Sequence, residues 1–250
     1  VPELEGKNAV VTGAAHGIGR AAARQIAQLG ASVALLDIDA EGLKAACTEI
    51  REAGGQAAPF AVDLLHRGAI ETVFREVAEK LGPVDILVNN VGQSARKRSS
   101  EFWCADLDMV EFVVELNLLA TIRCSRQVVP SMRSRKWGKI VNVSSDAAFN
   151  GDANVADYAA AKAGVLGFTR SLARELAPHK VNVNAVCPGA TNTRAVADWS
   201  PEIRASASTA PLGALCEPDD IADAISFLVS TKASFVTGHT MVVNGGRAFR

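Results

Sequence analysis

NAVVTGAAHGIGRAAARQIAQLG, Asn8 to Gly30, passes from a β-branched apolar run through spaced glycines into an alanine-rich segment with apolar residues at helical spacing. Its first part, NAVVTG, reads as a buried strand, and GRAAARQIAQLG reads as a helix stopped by Gly30. Gly13, Gly17 and Gly19 fall at the turn between them in the spacing G-x-x-x-G-x-G. Glycine there permits positive φ and lets a pyrophosphate approach the backbone at the positive end of the following helix. A glycine cluster alone is a weak signal, because tight turns need glycine anyway. Its setting strengthens it: Asp37 ends the next strand 18 residues after Gly19, where an acid can bind a ribose diol. The plainer alternative makes Asp37 a helix cap or turn residue, and His16 is read as lining the turn.

The same alternation continues outward. SVALLD (Ser32 to Asp37), AAPFAVD (Ala57 to Asp63), VDILVNN (Val84 to Asn90), KIVNVSS (Lys139 to Ser145), VNVNAVCPG (Val181 to Gly189) and HTMVVNGG (His239 to Gly246) are further candidate strands, separated by helical stretches. Strand, helix, strand at this pace requires right-handed crossovers and a parallel sheet covered on both faces. The expected fold is α/β, a doubly wound, seven-stranded parallel sheet in one domain spanning 1–250. No linker, low-complexity tract or charge block divides it. The irregular stretch of about 188–218, with Pro188, Pro201, Pro211 and Pro218, reads as a substrate loop, within which SPEIRASAS can form a short helix.

A chain of 250 residues, 48% hydrophobic, can bury a large core. Its formal net charge of -1 argues against nucleic-acid and membrane-surface binding, which call for a basic excess, and favours a small-molecule partner. Cys47, Cys104, Cys124, Cys187 and Cys216 form no C-x-x-C pair and no metal-ligand spacing, so reduced thiols, a cytoplasmic location and no metal are expected. The polar opening before Ala9 leaves no room for a secretory leader. No apolar run approaches the ~20 residues of a membrane span.

The only tyrosine, Tyr158, stands in ADYAAAKAG with Lys162 four places on. Alanine between them makes the segment helical, and the i, i+4 spacing puts phenol and ammonium on one face. A half-buried aromatic beside a solvated lysine is the bland reading of that pair.

With these residues in order, the chain resembles the classical short-chain dehydrogenase/reductase family over nearly its whole length. TGAAHGIG matches the family's T-G-x-x-x-G-x-G loop, and NNVG (Asn89 to Gly92) its N-N-A-G turn with Val91 in place of alanine. Asn117 in VELNLL, Ser145 in VNVSS, the Tyr158 and Lys162 pair, and Pro188-Gly189 with Thr193 match its helix asparagine, active-site serine, Y-x-x-x-K and P-G-x-x-x-T. PLGALCEPDDIA and TGHTMVVNGG resemble its C-terminal segments.

The resemblance implies a Rossmann-like domain that uses a nicotinamide cofactor to interconvert an alcohol and a carbonyl. The cofactor half is expected at about 1–150 and the catalytic and substrate half at about 139–250. Expected cofactor contacts are Gly13, His16, Gly17, Ile18 and Gly19, then Asp37 and Ile38 at the ribose, Asp63 and Leu64 at adenine, Asn90 and Gly92, and Tyr158 and Lys162. Pro188, Gly189, Thr191 and Thr193 complete the set near nicotinamide. A homodimer or homotetramer is implied as well.

The expected catalytic residues are Asn117, Ser145, Tyr158 and Lys162. Tyr158 must act as phenolate, and moving its pKa from about 10 to about 7 takes roughly 4 kcal/mol. The Lys162 ammonium and an oxidised nicotinamide ring can supply it in a dry site. Ser145, 13 residues before Tyr158, can hold the substrate oxygen, whereas strand alternation turns Ser144 to the other face. In the family the asparagine holds a water that links the lysine to solvent; taken alone, Asn117 is a polar helix residue.

Asp37 makes NAD rather than NADP the expected cofactor, against some positive charge from His16 and Arg20. Phe102, Trp103, Phe149 and Trp199 suggest a hydrophobic or cyclic substrate, or are ordinary packing. Arg96, Lys97 and Arg98 in ARKRSS can attract a carboxylate, a phosphate or the coenzyme A part of a thioester, or form a solvated loop. A non-catalytic dinucleotide-binding regulator or scaffold is the main competing reading. Nucleic-acid binding through ARKRSS is disfavoured by the overall charge.

Overall fold

The computed structural model describes residues 2–95, 100–197, 210–213 and 215–248. Arg96, Lys97, Arg98, Trp199 and SPEIRASAS lie outside them. Seven strands form one parallel sheet: β1 (Asn8–Thr12), β2 (Ser32–Asp37), β3 (Gln56–Ala61), β4 (Ile86–Asn89), β5 (Gly138–Val143), β6 (Val181–Pro188) and β7 (Thr240–Val243). Their spatial order is β3-β2-β1-β4-β5-β6-β7. Apart from β2, the strands end before their sequence patterns do. The chain leaves the ladder there to form the loops that carry Gly13, Asn90, Ser145 and Gly189. Pro59 is tolerated because β3 is an edge strand that pairs only with β2.

Helices cover both faces, as two-residue alternation in the strands demands. On one face α1 (Gly17–Gln28), α2 (Ala40–Glu52) and α9 (Pro218–Val229) pack Ile26, Leu43, Ile50 and Ile225 against a cluster that includes Val11, Val33 and Leu35. On the other, α3 (Arg67–Leu81), α5 (Ala120–Arg135) and α7 (Ala156–Leu176) bring Ile70, Val128 and Leu176 to Val10, Leu36, Leu87 and Ile140. Each such side chain fully removed from water contributes roughly 2 kcal/mol. α4 (Leu107–Val114) continues through a π-helical turn (Glu115–Leu119) into α5, and the short helices α6 (Ala147–Asn150) and α8 (Arg194–Ala197) follow β5 and β6.

The position of the crevice follows from the strand order. β1 pairs with β2 on one side and β4 on the other, so the winding direction reverses between β1 and β4 and their carboxyl ends part. Thr12 and Asn90 pin that divergence. The Thr12 hydroxyl accepts the amides of Asn90 (3.0 Å) and Val91 (3.1 Å), while the Asn90 side chain donates to the carbonyls of Thr12 (3.0 Å) and Gly13 (3.1 Å).

Candidate active site

The glycine loop opens directly onto this crevice. Gly13 and Gly17 have φ of +65° and +52°, where a side chain is strained, and a Cβ on Gly19 would fall inside the Gly13 carbonyl. His16, the N-cap of α1, makes no side-chain cap bond, so the first-turn amides, Gly17 and Ile18 among them, remain available to an anion. A Cβ on Gly17 would lie 3.0 Å from the Thr193 methyl, which places the segment after β6 over the loop after β1. The bare backbone cradle and free helix terminus fit the pyrophosphate of a dinucleotide.

Asp37, at the end of β2, accepts the amides of Ala15 and Asp39, each at 3.0 Å. Each carboxylate oxygen keeps a further lone pair for a ribose hydroxyl. Ile38 is exposed, whereas Leu64 is buried in the core. Asp63 accepts the Leu65 amide at 3.0 Å. Thr191 spends its hydroxyl on the Gly189 carbonyl (3.0 Å), and Gly189 itself leaves room for Asn244.

The second cluster is built by α7 and the widened turn between α4 and α5. Lys162 is buried, donates to the Val143 carbonyl at 2.9 Å, and holds its ammonium 5.7 Å from the Tyr158 ring centre. Burial pushes its pKa down to about 8, opposed by nearby Cys187. Asn117 sits fully buried in the π turn. Such a turn widens the ladder. The Asn117 amide donates to the carbonyls of Val113 and Gln93, both at 2.8 Å. Its Oδ1 is then a buried acceptor with no partner among the described residues, which a bound water or a ligand donor satisfies.

Gly92 lies against both groups: a Cβ there would overlap Asn117 Oδ1 and come within 3.0 Å of Lys162 Nζ. Its side-chain hydrogen is therefore a spacing requirement set by Asn117 and Lys162. Gly92→Ala is expected to lower kcat about a hundredfold, the usual cost of displacing catalytic groups by about 1 Å. Steady-state rates alongside thermal melts check this; an unchanged kcat would show that the two groups yield without consequence.

Ser144 and Ser145 are separated by their partners. Buried Ser144 donates to the Lys162 carbonyl at 2.8 Å. Half-buried Ser145 accepts the Ala147 amide at 3.2 Å, which leaves its hydroxyl proton to be donated. Tyr158 is half-buried, beside the same crevice.

At the substrate end, Ala95, Phe102, Asp106, Met109, Val110 and Asp157 line a small cleft that adjoins Tyr158 in sequence through Asp157. Phe102 lines it; Trp103 is exposed and donates to Glu101 at 2.7 Å, and Phe149 packs on the cluster of Leu166, Ala185 and Cys187. The motif reading missed Asp39 and Arg194. His16 Nε2 lies 2.6 Å from Asp39 Oδ2 and 2.7 Å from Arg194 Nη1. A D-x-D that begins on the last residue of β2 and an arginine directly after Thr193 are their only sequence signals. Among the described residues no His, Cys, Asp and Glu cluster could hold a metal, and no helix is long and apolar enough to cross a membrane.

A family model described as enoyl-(acyl carrier protein) reductase matches residues 13–248. The chain is 38% identical over 246 residues to the 3-oxoacyl-(acyl-carrier-protein) reductase of Aquifex aeolicus, covering 98% of each. It is 39% identical over 241 residues to the cis-4-hydroxycyclohexanecarboxylate dehydrogenase of Sinomonas cyclohexanicum, covering 95% of each. The crystal structure of the 3-oxoacyl-(acyl-carrier protein) reductase from Brucella melitensis matches with a TM-score of 0.92 and 35% identity, over 100% of this chain and 94% of that one.

Proposed function

This chain belongs to the short-chain dehydrogenase/reductase family of oxidoreductases, and on that premise we propose that it interconverts a secondary alcohol and a ketone with NAD as cofactor. The observation that carries the reading is the buried Lys162 ammonium held 5.7 Å from the Tyr158 ring. In the proposal, residues of about 1–150 hold the cofactor and those of about 139–250 supply the catalytic and substrate groups. The bound nicotinamide ring supplies the hydride acceptor or donor.

The other steps belong to the protein. Tyr158 takes the alcohol proton as phenolate, or returns it in reduction. Lys162 favours the phenolate by its charge, and Ser145 donates to the substrate oxygen as charge develops there. Asn117 Oδ1 anchors a water that accepts protons passed through Lys162 to solvent. A non-catalytic dinucleotide-binding scaffold has no need of a buried ammonium at this cost, and turnover separates the two.

Asp37 supports NAD over NADP. A carboxylate bonded to the adenosine ribose diol lies within about 5 Å of a 2′-phosphate, and one unit of like charge costs roughly 3 kcal/mol there at an effective dielectric of 20. Solvent and salt offset the phosphate's additional charge, so about a hundredfold preference in kcat/KM is expected. The opposing cations are engaged elsewhere: Arg20 donates to Glu49 at 2.7 Å, and His16 faces Asp39. Comparable kcat/KM values with the two cofactors would overturn the NAD assignment, and Asp37→Ala should erase a genuine preference.

A cyclic or apolar secondary alcohol is the favoured substrate, supported by Phe102, Met109 and Val110 in the cleft and by the relative that acts on a hydroxycyclohexane carboxylate. A panel of cyclic and open-chain alcohols, ketones and a 3-oxoacyl thioester, followed at the reduced-nicotinamide absorbance, tests it. A clear preference for the thioester would reassign the substrate. The proposal includes a cytoplasmic homodimer or homotetramer, which light scattering on the eluted protein tests.

A further inference from the structure

The corner beside Asp37 holds more charge than the ribose reading uses. Asp39, two residues on, is the N-cap of α2 and accepts the Gly42 amide at 2.9 Å. Its other oxygen meets His16 Nε2 at 2.6 Å, and Gly42 makes that approach feasible, because a Cβ there would lie 2.8 Å from the His16 ring. Arg194 arrives from α8, 178 residues from His16 along the chain. Its Nη1 lies 2.7 Å from His16 Nε2 and 3.8 Å from Asp39 Oδ2.

One ring nitrogen cannot donate to Asp39 and accept from Arg194 together. With the proton on Nε2, His16 serves Asp39 and the guanidinium is left to the carboxylate; with it on Nδ1, Nε2 accepts from Arg194. In both cases Asp39 is the anion that opposes the positive charge of the corner. The Gly42 amide and the His16 ring hold its carboxyl below the ordinary carboxylate range, so it is ionised at neutral pH.

We propose that Asp39 is a second specificity-determining carboxylate: it engages Arg194 and His16 and so withholds from a 2′-phosphate the cationic site they would otherwise form. Arg194 is 75% exposed, and a surface ion pair of this kind is weak, so a phosphate can capture the guanidinium once the carboxylate is gone. The segment after β6 thus carries a latent phosphate-binding arginine in a protein whose adenosine corner is kept negative by two acids. This rests on the placement of the adenosine ribose at Asp37.

Asp39→Asn is the deciding variant, because asparagine keeps the N-cap and removes only the charge. Asp39→Ser, which also caps, serves should the first variant fold poorly. Kd values for NADH and NADPH, read from nicotinamide fluorescence without any substrate, give the NADPH-to-NADH affinity ratio. The ratio should rise about tenfold in Asp39→Asn, and adding Arg194→Ala should abolish the rise. An unchanged ratio in both Asp39 variants overturns the proposal, as does a rise that survives Arg194→Ala. If the wild-type protein binds both cofactors equally, the NAD assignment fails on its own, while the change from wild type to Asp39→Asn still decides the role of Asp39.

Discussion

Tyr158→Phe removes turnover by at least about a thousandfold while leaving NADH binding within a few fold. The phenol is the sole tyrosine of the chain, and the substitution deletes one oxygen from a half-buried helix position. Neither Lys162 nor Ser145 is placed to replace it as a base. The Lys162 ammonium is engaged by the Val143 carbonyl, and among the described residues the Ser145 hydroxyl meets the Ala147 amide, a donor, and not a base that could activate it. General acid–base groups are worth about a hundred- to ten-thousandfold, and a proton transfer with no substitute lies in the upper part of that range. Stopped-flow single turnover should show the loss in the chemical step, together with an unchanged fluorescence titration of NADH. Residual activity above about a tenth of wild type would remove Tyr158 from the mechanism.

Lys162→Met sets activity against stability in one side chain. Without the ammonium only the oxidised nicotinamide ring is left to favour the Tyr158 phenolate, so at pH 7 the phenolate, and with it kcat, should fall by about tenfold or more. The loss should recover as pH rises, which distinguishes an electrostatic role from a merely structural one; a flat deficit across pH would contradict the assignment.

The same substitution should stabilise the fold. A lysine whose pKa falls from 10.5 to about 8 on folding is held charged in a place that disfavours charge. At about 1.4 kcal/mol per tenfold change, that penalty is about 3 kcal/mol. The sign follows from proton counting: between about pH 8 and 10.5 the unfolded chain binds the proton that the folded one has lost, so stability rises with pH. The penalty is whole below about pH 8 and gone above 10.5, so the advantage of Lys162→Met in denaturant melts should be largest near neutrality and vanish at high pH. A destabilised variant at pH 7 would mean that the bond to the Val143 carbonyl outweighs the cost of burial.

The sequence carried the α/β class and the parallel sheet through local patterns: apolar strands, a helix with its glycine stop, and glycines at a strand-to-helix turn. Such signals depend on neighbours within a few residues, so Asn8 to Gly30 could be read before any tertiary contact was known. The pairing of Tyr158 with Lys162 was equally legible, because a helix brings residues four apart onto one face. The choice of Ser145 over Ser144 needed only strand alternation, and their different hydrogen-bond partners are consistent with it.

Tertiary structure decided what depended on distant segments. Asn117 reads locally as one more polar helix residue; the π turn spends both its amide protons and leaves its oxygen against Gly92 and Lys162. Gly92 looked like a turn glycine until the helix bearing Lys162 packed against it. The aromatic residues that by sequence suggest either an apolar substrate or ordinary packing diverge, because Trp103 faces solvent while Phe149 packs against a core cluster. Arg194 and His16 stand 178 residues apart, and no periodicity relates them. They meet because the parallel strands set the carboxyl end of β6 on the same edge as that of β1, where the segment holding Thr193 folds over the glycine loop. Local chemistry determines which elements form and which faces they bury, whereas the charge balance of a site is a sum over groups that only the packed sheet brings within a few ångströms of one another.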